Sequence, residues 1–390
     1  MKIIVDKNIP YLKSVLEPYA EVKYMDGGDI DFESSKNADA LIIRTRTKCN
    51  KYLLEAITKT QTENSIRDSK LKGHVSHSKV SIIATATIGT DHCDTNYLKS
   101  NIIVLANAPG CNAGGVMQYV WTSLYMLAYG DKFKDYKGRS GVNIDSHIYN
   151  IGIVGVGNTG GRVADLGEKL GYKVLRNDPP RVEKENIITY DGNISSYPKG
   201  AFCNLDYLLE HADIISLHLP LNSTTIHMAD RQFYKKWKHP HIFINACRGE
   251  CVDEAELLKF KENLDGLIID VWNDEPANIS LALLAAADIT TPHIAGYSIE
   301  GKMNGTAMAV RAIAKHFKIK ELYNFYPAEK QQFEDDNFID MTEVSGFELA
   351  KKLHKIFPIE GISNRLQANP REFEKIRKSY ELRREFCYKK

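Results

Sequence analysis

Short apolar runs rich in Ile and Val recur along most of the chain, with helical patterns between them. The runs are continuous rather than alternating, which is typical of strands covered on both faces in a parallel sheet. The predicted strands are residues 3–5, 41–43, 80–84, 102–105, 151–154, 214–217, 242–244 and 267–269. The predicted crossover helices are residues 115–127, 163–170, 205–210 and 255–264. This alternation predicts an α/β fold class built on a doubly wound parallel sheet.

The regular alternation fades after residue 318, and a more charged tail follows. Near its end, Asn369-Pro370 followed by Glu372 predicts a capped helix start. Three apolar residues would share one face of that helix: Phe373, Ile376 and Tyr380. Such a face fits packing inside the chain or a subunit interface, and the sequence leaves both open.

Composition narrows the class of protein. The chain has 390 residues, enough for two or three domains at about 150 residues each. Lys plus Arg total 51 against 50 for Asp plus Glu, so the net charge of +1 provides no field for holding a nucleic acid. The apolar stretch 115–130 is interrupted by Gln118, Thr122 and Ser123, and it is too short for a membrane span. With no hydrophobic signal segment after Lys2, these features predict a cytoplasmic protein without nucleic-acid or membrane partners.

Cysteine usage argues against a metal site. Seven cysteines in a chain of this length, with no Cys-x-x-Cys pair, fit neither a disulfide framework nor a zinc knuckle. Cys247 and Cys251 are four residues apart, but no His or second cysteine pair lies nearby in the sequence to complete a tetrahedral site. We therefore predict small buried thiols and no metal.

A glycine motif follows the predicted strand 151–154 and opens a helical pattern. Its sequence is Gly155-Val156-Gly157-Asn158-Thr159-Gly160. Gly155 permits a tight turn, Gly157 lets the backbone approach a pyrophosphate, and Gly160 allows the helix to pack closely on the strand. Asp178 follows 18 residues after Gly160, at the position where this motif uses a carboxylate for the ribose hydroxyls. The combination predicts a dinucleotide site.

The carboxylate at position 178 favours NAD over NADP, because Asp178 would repel a 2′-phosphate. Arg176 and Arg181 flank it and weaken that preference. Some use of NADP would remain if Arg181 turns inward.

Three polar residues follow later predicted strands, at the edge where open α/β sheets bind their ligands. The fork of Arg248 can hold a substrate carboxylate and the adjacent oxygen. His293 is suited to remove a hydroxyl proton at neutral pH, and a carboxylate such as Glu275 would orient it. Taken singly, they also fit a strand-end arginine, a solvated loop carboxylate and a buried core histidine. Together with a nicotinamide that accepts hydride, they describe the oxidation of a 2-hydroxy acid.

One nearby acidic residue has a structural interpretation instead. Asp253, with Glu256 three residues later, predicts a helix capping box.

The order of the motifs resembles that of the D-isomer-specific 2-hydroxyacid dehydrogenases. The segments that carry the resemblance are the glycine motif, Asn-Ala-Cys-Arg-Gly at 245–249, Asp-Val-Trp with Glu-Pro at 270–276, and His-Ile-Ala-Gly-Tyr at 293–297. A closer resemblance, to members that act on a phosphorylated four-carbon acid, rests on residues 44–48, 84–92, 108–113, 178–181 and 297–302. The resemblance covers nearly the whole chain.

This resemblance implies NAD-dependent oxidation of 4-phospho-D-erythronate, a step of pyridoxal 5'-phosphate biosynthesis. It implies that Arg248, Glu275 and His293 are catalytic, with His293 as proton donor or acceptor. The implied substrate contacts are Thr45, Thr87 and Tyr297. The NAD contacts predicted from the motif and from the resemblance are Gly155, Gly157, Asn158, Thr159, Gly160, Asp178, Ala246, Cys247, Arg248, Asp270 and Gly296.

The resemblance also implies a division into three domains. Residues 1–109 and 295–318 would form a flavodoxin-like substrate domain, and 110–294 the Rossmann domain that binds NAD. Residues 319–390 would form a small α+β dimerisation domain, which makes the protein a homodimer.

The sequence departs from the family pattern at several places. Thr45 stands where the family usually has serine or another small residue, and Gln118 where it often has glutamate. The polar segments 59–79 and 131–146 predict inserted surface loops, and the first of them lengthens the loop before Thr87.

A substrate phosphate needs cations at the end remote from Arg248. Arg44 and Arg46 follow a predicted strand and are expected to bind it, although a solvated basic turn is the simpler interpretation. The remaining candidates are the tail arginines Arg377, Arg383 and Arg384.

Two other functions remain open at this stage. Another D-2-hydroxy acid dehydrogenase, such as one acting on 3-phosphoglycerate, would share the three catalytic groups. A non-catalytic protein that senses NAD would share the fold and the dinucleotide site but would not turn over a hydroxy acid.

Overall fold

A computed structural model of the chain describes residues 1–35, 37–50, 53, 80–133, 140–328, 338–340 and 344–388. The predicted insertion 59–79 lies outside these residues. The strands are β1 Lys2–Asp6, β2 Glu21–Met25, β3 Ala40–Ile43, β4 Ile82–Thr85, β5 Val104–Ala106, β6 Asn150–Val154, β7 Lys173–Asn177, β8 Ile214–Leu217, β9 Ile242–Asn245, β10 Gly266–Ile269, β11 Ile289–Thr290, β12 Phe338–Ile339 and β13 Cys387–Tyr388. Each predicted strand is therefore confirmed, with small shifts at its ends.

The helices alternate with the strands over most of the described chain. They are α1 Phe32–Ser35, α2 Thr95–Ser100, α3 Ala113–Tyr129, α4 Asn158–Lys169, α5 Pro179–Glu185, α6 Leu205–His211, α7 Arg231–Lys236, α8 Glu254–Phe260, α9 Leu281–Ala286, α10 Ile299–Phe317, α11 Gly346–Ile356, α12 Ile359–Ala368 and α13 Phe373–Lys378. Asp253 is confirmed as a structural helix cap, because its carboxylate accepts hydrogen bonds from the N–H groups of Ala255 and Glu256 at 3.1 Å each. The reciprocal half of the predicted capping box is wrong, because the Asp253 N–H donates to the carbonyl oxygen of Ala229 at 3.1 Å.

The first compact unit comprises residues 1–112 and 300–331. Its sheet is parallel, with the strand order β2-β1-β3-β4-β5. This order is that of flavodoxin-like folds, as predicted. Buried residues of α10, among them Val310 and Ile313, pack in one apolar cluster with Ile3 and Val5 of β1.

The second unit comprises residues 113–299 and 332–390. Its main sheet is also parallel, with the order β11-β10-β9-β8-β6-β7. The chain order reverses between β6 and β8, and ligands of doubly wound sheets bind outside the carboxyl ends of strands at such a switch point.

Helix α3 is buried along nearly its whole length. Trp121, Leu124 and Leu127 contribute to the largest apolar cluster of the second unit. A helix that is apolar on all sides belongs in a protein core or a membrane. Within the described residues, no helix is both long and apolar enough to cross a membrane.

The tail packs inside the second unit. Phe373 and Ile376 are 0% and 2% exposed and lie in an apolar cluster with strand residues of the main sheet. Their face is therefore covered within the chain. The predicted cap is wrong, because Asn369 makes no side-chain capping bond and Pro370–Glu372 form a 3-10 turn before α13. The division into three domains and the dimer stay predictions.

Candidate active site

The predicted catalytic residues follow neighbouring strands of the second unit. The register pairs Ile269 of β10 with Asn245 of β9 and with Thr290 of β11. Because these strands are parallel, their carboxyl ends meet at one edge of the sheet. The loops that carry Arg248, Glu275 and His293 all leave from this edge.

The glycine motif adopts the geometry that its sequence predicts. Gly155 has φ +85°, and a Cβ there would lie 2.4 Å from the carbonyl oxygen of His218. A Cβ at Gly160 would lie 1.9 Å from the carbonyl oxygen of Gly155. Only glycine fits at these two positions, which bring α4 onto the turn after β6.

The start of α4 has room for a phosphate group. A Cβ on Gly157 would meet no atom within 4 Å, and Gly157 and Asn158 are exposed. Gly157 provides no side-chain cap, so the first N–H groups of the helix, at Asn158 and Thr159, are directed to a ligand or to water. These residues fit the pyrophosphate of a dinucleotide.

Asp178 lies beside this motif. One carboxylate oxygen accepts a hydrogen bond from the Val156 N–H at 2.8 Å, and the other accepts from the Arg181 N–H at 3.0 Å. The residue therefore fixes the glycine turn and caps α5. Its predicted contact with the ribose stays a prediction.

The two arginines that flank Asp178 have different surroundings. Arg176 is buried and forms ion pairs with Glu168 at 2.5 Å and Asp165 at 3.3 Å. Arg181 stays partly exposed: its Nη1 donates to the carbonyl oxygen of Val156 and its Nε to Glu185, each at 2.9 Å. Arg181 is thus the flanking cation that lies at the glycine turn.

His293 Nδ1 and Glu275 Oε1 are joined by a hydrogen bond. The second carboxylate oxygen of Glu275 accepts from the Trp272 N–H at 3.3 Å. Burial acts to raise the pKa of Glu275, but the charge and hydrogen bond of His293, with a smaller contribution from Arg377, hold it below its ordinary value. With Nδ1 turned to the carboxylate, Nε2 is the ring atom that can exchange a proton with a substrate hydroxyl.

The loop that carries Arg248 packs against the loop that carries Glu275. A Cβ on Gly249 would lie 2.1 Å from the backbone carbon of Trp272, so a glycine is required there. The Asn245 side chain donates to the Arg248 carbonyl oxygen at 3.0 Å and holds the start of the turn. Arg248 is half-buried, and its Nη1 donates to the carbonyl oxygen of Cys247 at 2.7 Å.

The backbone of the His293 loop is held on its N–H side by Asp270. The carboxylate accepts from the N–H groups of Ile294 and Ala295 at 2.8 and 2.9 Å and from the Thr291 hydroxyl at 2.7 Å. Burial raises the pKa of Asp270, although the charge of His293 and these bonds oppose that effect. His293 itself has φ +56°, a strained conformation that these contacts maintain. Asp270 is 1% exposed, and its predicted contact with NAD stays a prediction.

The same loop is held on its carbonyl side by Arg383 from the tail. Arg383 is 6% exposed. Its guanidinium donates to the carbonyl oxygens of Gly115, Ala295, Tyr297 and Ile294, at 2.8, 2.5, 2.9 and 3.2 Å. No local sequence pattern predicts this role, since the partners of Arg383 are remote in sequence.

Gln118 takes part in the same contact. Its amide oxygen accepts from Arg383 Nε at 3.1 Å, and its amide nitrogen donates to the Arg384 carbonyl oxygen at 3.2 Å. A glutamate would keep the first bond but could not donate the second. This departure from the family pattern thus lies at the tail contact.

Tyr297 follows the loop and contacts another residue of the tail. Arg377 Nε donates to its hydroxyl oxygen at 3.0 Å. Gly296, a predicted NAD contact, is half-buried beside it.

In the first unit, two predicted substrate residues follow paired strand ends. Ile43 of β3 pairs with Thr85 of β4, and Thr45 and Thr87 each follow by two residues. The two loops therefore start side by side. The Thr87 hydroxyl donates to the Gly89 carbonyl oxygen at 3.0 Å, and Thr45 is exposed.

The two arginines predicted to bind phosphate differ. Arg44 forms a two-pronged ion pair with Asp6, at 2.9 and 3.3 Å, and the Asp6 side chain is 0% exposed. Arg46 is exposed. Arg44 thus supports the fold, and Arg46 has the exposure that a phosphate ligand needs.

The described residues hold no group of three or more His, Cys, Asp or Glu side chains arranged for a metal ion. Six of the seven cysteines, Cys247 and Cys251 among them, are buried thiols as predicted, and the prediction is wrong for Cys387, which is exposed.

Comparisons with known proteins agree with this geometry. Residues 131–295 match the family model for the NAD binding domain of D-isomer specific 2-hydroxyacid dehydrogenases. The chain is 39% identical to the erythronate-4-phosphate dehydrogenase of Bacteroides thetaiotaomicron and 37% identical to that of Bacteroides fragilis, in each case over 99% of this chain and 97% of the relative.

The fold is also similar to a solved structure. D-lactate dehydrogenase from Aquifex aeolicus, complexed with NAD and lactic acid, superimposes with a TM-score of 0.62 at 21% identity, over 85% of this chain and 100% of that one.

Proposed function

Because the chain belongs to the erythronate-4-phosphate dehydrogenases, within the D-isomer-specific 2-hydroxyacid dehydrogenase family, we propose that it oxidises 4-phospho-D-erythronate to (R)-3-hydroxy-2-oxo-4-phosphooxybutanoate. It is an NAD-dependent oxidoreductase of that family. The proposed reaction is a step of pyridoxal 5'-phosphate biosynthesis. We further propose that the protein is cytoplasmic and forms a homodimer through its C-terminal region.

The observation that carries the proposal is the His293–Glu275 pair beside the Arg248 loop. NAD, when bound, accepts the hydride that leaves C2 of the substrate. His293 Nε2 takes the proton of the C2 hydroxyl, and Glu275 stabilises the imidazolium that results. The Arg248 guanidinium holds the substrate carboxylate and the C2 oxygen, which fixes C2 for the transfer.

Thr45 and Thr87, in loops that follow paired strand ends, are proposed to donate hydrogen bonds to the substrate. The Tyr297 hydroxyl is also proposed as a substrate contact. Arg46 is the cation proposed for the phosphate on the ground of its exposure. The Arg44 guanidinium pairs with the buried Asp6.

The test is NADH formation measured in parallel with erythronate 4-phosphate, 3-phosphoglycerate and D-lactate. We expect kcat/KM to be highest by far for erythronate 4-phosphate. A preference for 3-phosphoglycerate would overturn the proposed substrate and leave the family unchanged. Tight NADH binding without turnover of any of the three acids would favour a sensing role.

A further inference from the structure

We infer that Arg377, on the last helix of the chain, is a positioning residue for the reaction: it orients Tyr297 and places a fixed positive charge beside Glu275. The inference rests on the proposed roles of Tyr297, Glu275 and His293. The C-terminal tail, which lies outside the motifs of the nucleotide-binding domain, would then contribute a residue to the candidate active site.

Arg377 is placed by a well-anchored helix. Its neighbour Ile376 and the first residue of α13, Phe373, are buried in the second unit's core. The backbone at 377 therefore has little freedom, and the side chain extends from a fixed origin toward Tyr297.

The contact with Tyr297 involves both the hydroxyl and the ring. Arg377 Nε donates to the phenol oxygen at 3.0 Å, and its guanidinium carbon lies 5.5 Å from the ring centroid. The bond to the hydroxyl, with the guanidinium close to the ring, restricts the orientation of the phenol, and a lysine lacks the planar fork that makes this contact. A phenol whose oxygen accepts from a cation directs its own proton to a different acceptor, which suits an anionic substrate.

Arg377 also acts on the catalytic carboxylate. Burial alone would lower the pKa of Arg377, but Tyr297 and Glu275 raise it above its ordinary value. The same charge helps to hold the pKa of Glu275 down, after the larger effect of His293. Among the described residues, the charged and titratable groups that act on one another here include Asp270 with His293, Arg377 with Glu275, and Tyr297 and Glu374 with Arg377. Tyr380 also packs against Tyr297.

A purely structural arginine in the same tail has different partners. Arg383 bonds mostly main-chain carbonyl oxygens of several segments, together with the Gln118 amide oxygen and the Tyr380 hydroxyl, none of which has a part in the proposed reaction. Arg377 instead bonds the Tyr297 hydroxyl and acts on the Glu275 carboxylate, and both of these groups belong to the proposed reaction. The partners therefore favour positioning over support.

The first test compares Arg377→Gln and Arg377→Lys with Arg371→Gln, which removes an exposed charge from the same tail. For Arg377→Gln we expect KM for the hydroxy acid to rise about tenfold, the scale of one lost charge-assisted hydrogen bond, while KM for NAD is unchanged. Arg377→Lys should also raise KM, because it loses the fork. Arg371→Gln should match the unchanged protein. Unchanged KM in both Arg377 variants would overturn the inference.

The second readout is the acidic limb of the pH–rate profile, which a merely structural role would not move. Removing the cation makes protonation of the neighbouring imidazole easier, so Arg377→Gln should move the limb to higher pH by about half a unit. Arg377→Lys keeps the charge and should leave the limb in place. A limb that stays in place in Arg377→Gln, or that moves equally in both variants, would contradict the assigned charge effect.

A double-mutant cycle with Tyr297→Phe separates orientation from general damage. If Arg377 acts through the hydroxyl, Arg377→Gln should add little to the KM of Tyr297→Phe. Independent, additive losses would overturn the orienting role. All variants are assayed with whichever acid of the three-substrate panel the unchanged protein oxidises, so a wrong proposed substrate and a wrong role for Arg377 give different results.

Discussion

Two loops that follow parallel strands are both fixed by buried charge, but in opposite ways. The His293 loop of the second unit is held by two charged residues outside it. Asp270 accepts from its N–H groups and Arg383 donates to its carbonyl oxygens, and we call these two residues the clamp. The 44–48 loop of the first unit is held by its own cation, because Arg44 pairs with the buried Asp6. The first arrangement leaves the His293 side chain available for chemistry. In the second, the Arg44 side chain stabilises the fold.

The difference shows why a cation at the end of a strand is not by itself a ligand site. Removing one partner of a buried ion pair leaves a buried charge without compensation. A cation in such a pair is therefore required by the fold and is not free to turn toward a ligand. Arg44 meets this condition, whereas Arg46, two residues later, is exposed. Five substitutions test this difference between the two loops, with expected effects that range from large to small.

His293→Ala tests whether the clamped loop carries the proton acceptor. We expect kcat to fall by about 10²–10⁴-fold, the usual contribution of a general base. The glycine motif is untouched, so the affinity for NADH, followed by fluorescence titration, should be retained. An unaffected kcat would remove His293 from the mechanism.

Arg383→Met tests the carbonyl side of the clamp. The loss of a buried guanidinium leaves several carbonyl oxygens unsatisfied, and we expect the free energy of unfolding to fall by about 3–5 kcal/mol. Arg383→Lys keeps the charge but has fewer donors, so it should lose less. Denaturant unfolding measures both, with Arg371→Met as the exposed control. Equal stability of all three variants would show that the clamp is not needed for folding.

Arg44→Ala tests the other loop. Because it strands the buried Asp6 carboxylate, we expect a loss of about 2–3 kcal/mol, less than for Arg383 since the Arg44 side chain is 25% exposed. Arg46→Ala is the matched control and should leave the midpoint of denaturant unfolding unchanged. The comparison fails if the two variants lose the same stability.

Local rules were sufficient to predict most of the nucleotide-binding unit. Gly155 and Gly160 are required by contacts within one turn, and Asp253 caps a helix through bonds to residues two and three positions away. Strand β2 has no continuous apolar run, because its polar and apolar residues alternate at the edge of the sheet, and continuous runs therefore do not predict it.

The contacts of the tail arginines could not be predicted, because each arginine and its partners are far apart in sequence. Arg383 lies 268 residues from Gly115, and Arg377 lies 80 from Tyr297. No local pattern distinguishes an arginine that will bond carbonyl oxygens from one that will face a carboxylate. The charge of the tail was visible in the sequence, but the partners of each arginine depend on tertiary packing.

Glu275→Gln tests whether the charge of Glu275 acts on His293. The amide cannot stabilise the imidazolium, so the acidic limb of the pH–rate profile should move to lower pH by about one unit, opposite to the shift expected for Arg377→Gln. The pKa of Glu275 in the folded protein lies below its ordinary value of 4.5, so the pair contributes stability above that pH. That contribution is lost as the pH falls through the lowered pKa. Glu275→Gln should therefore reduce the dependence of stability on acid pH, and unchanged profiles in both measurements would show that the groups are not coupled.

Arg46→Ala should have the smallest effect and decides whether the exposed cation of the 44–48 loop binds the substrate phosphate. Phosphate binding remote from the reacting carbon contributes similarly to the ground state and the transition state, so KM should rise about five- to tenfold with little change in kcat. Activity on unphosphorylated erythronate should barely change, because the group that Arg46 contacts is missing. The KM increase should also shrink as the salt concentration rises, since an exposed ion pair is screened. Equal losses on both substrates would mean that Arg46, like Arg44, supports the loop, and the phosphate ligand would then have to be sought elsewhere, beginning with Lys48 in the same loop, which is also exposed.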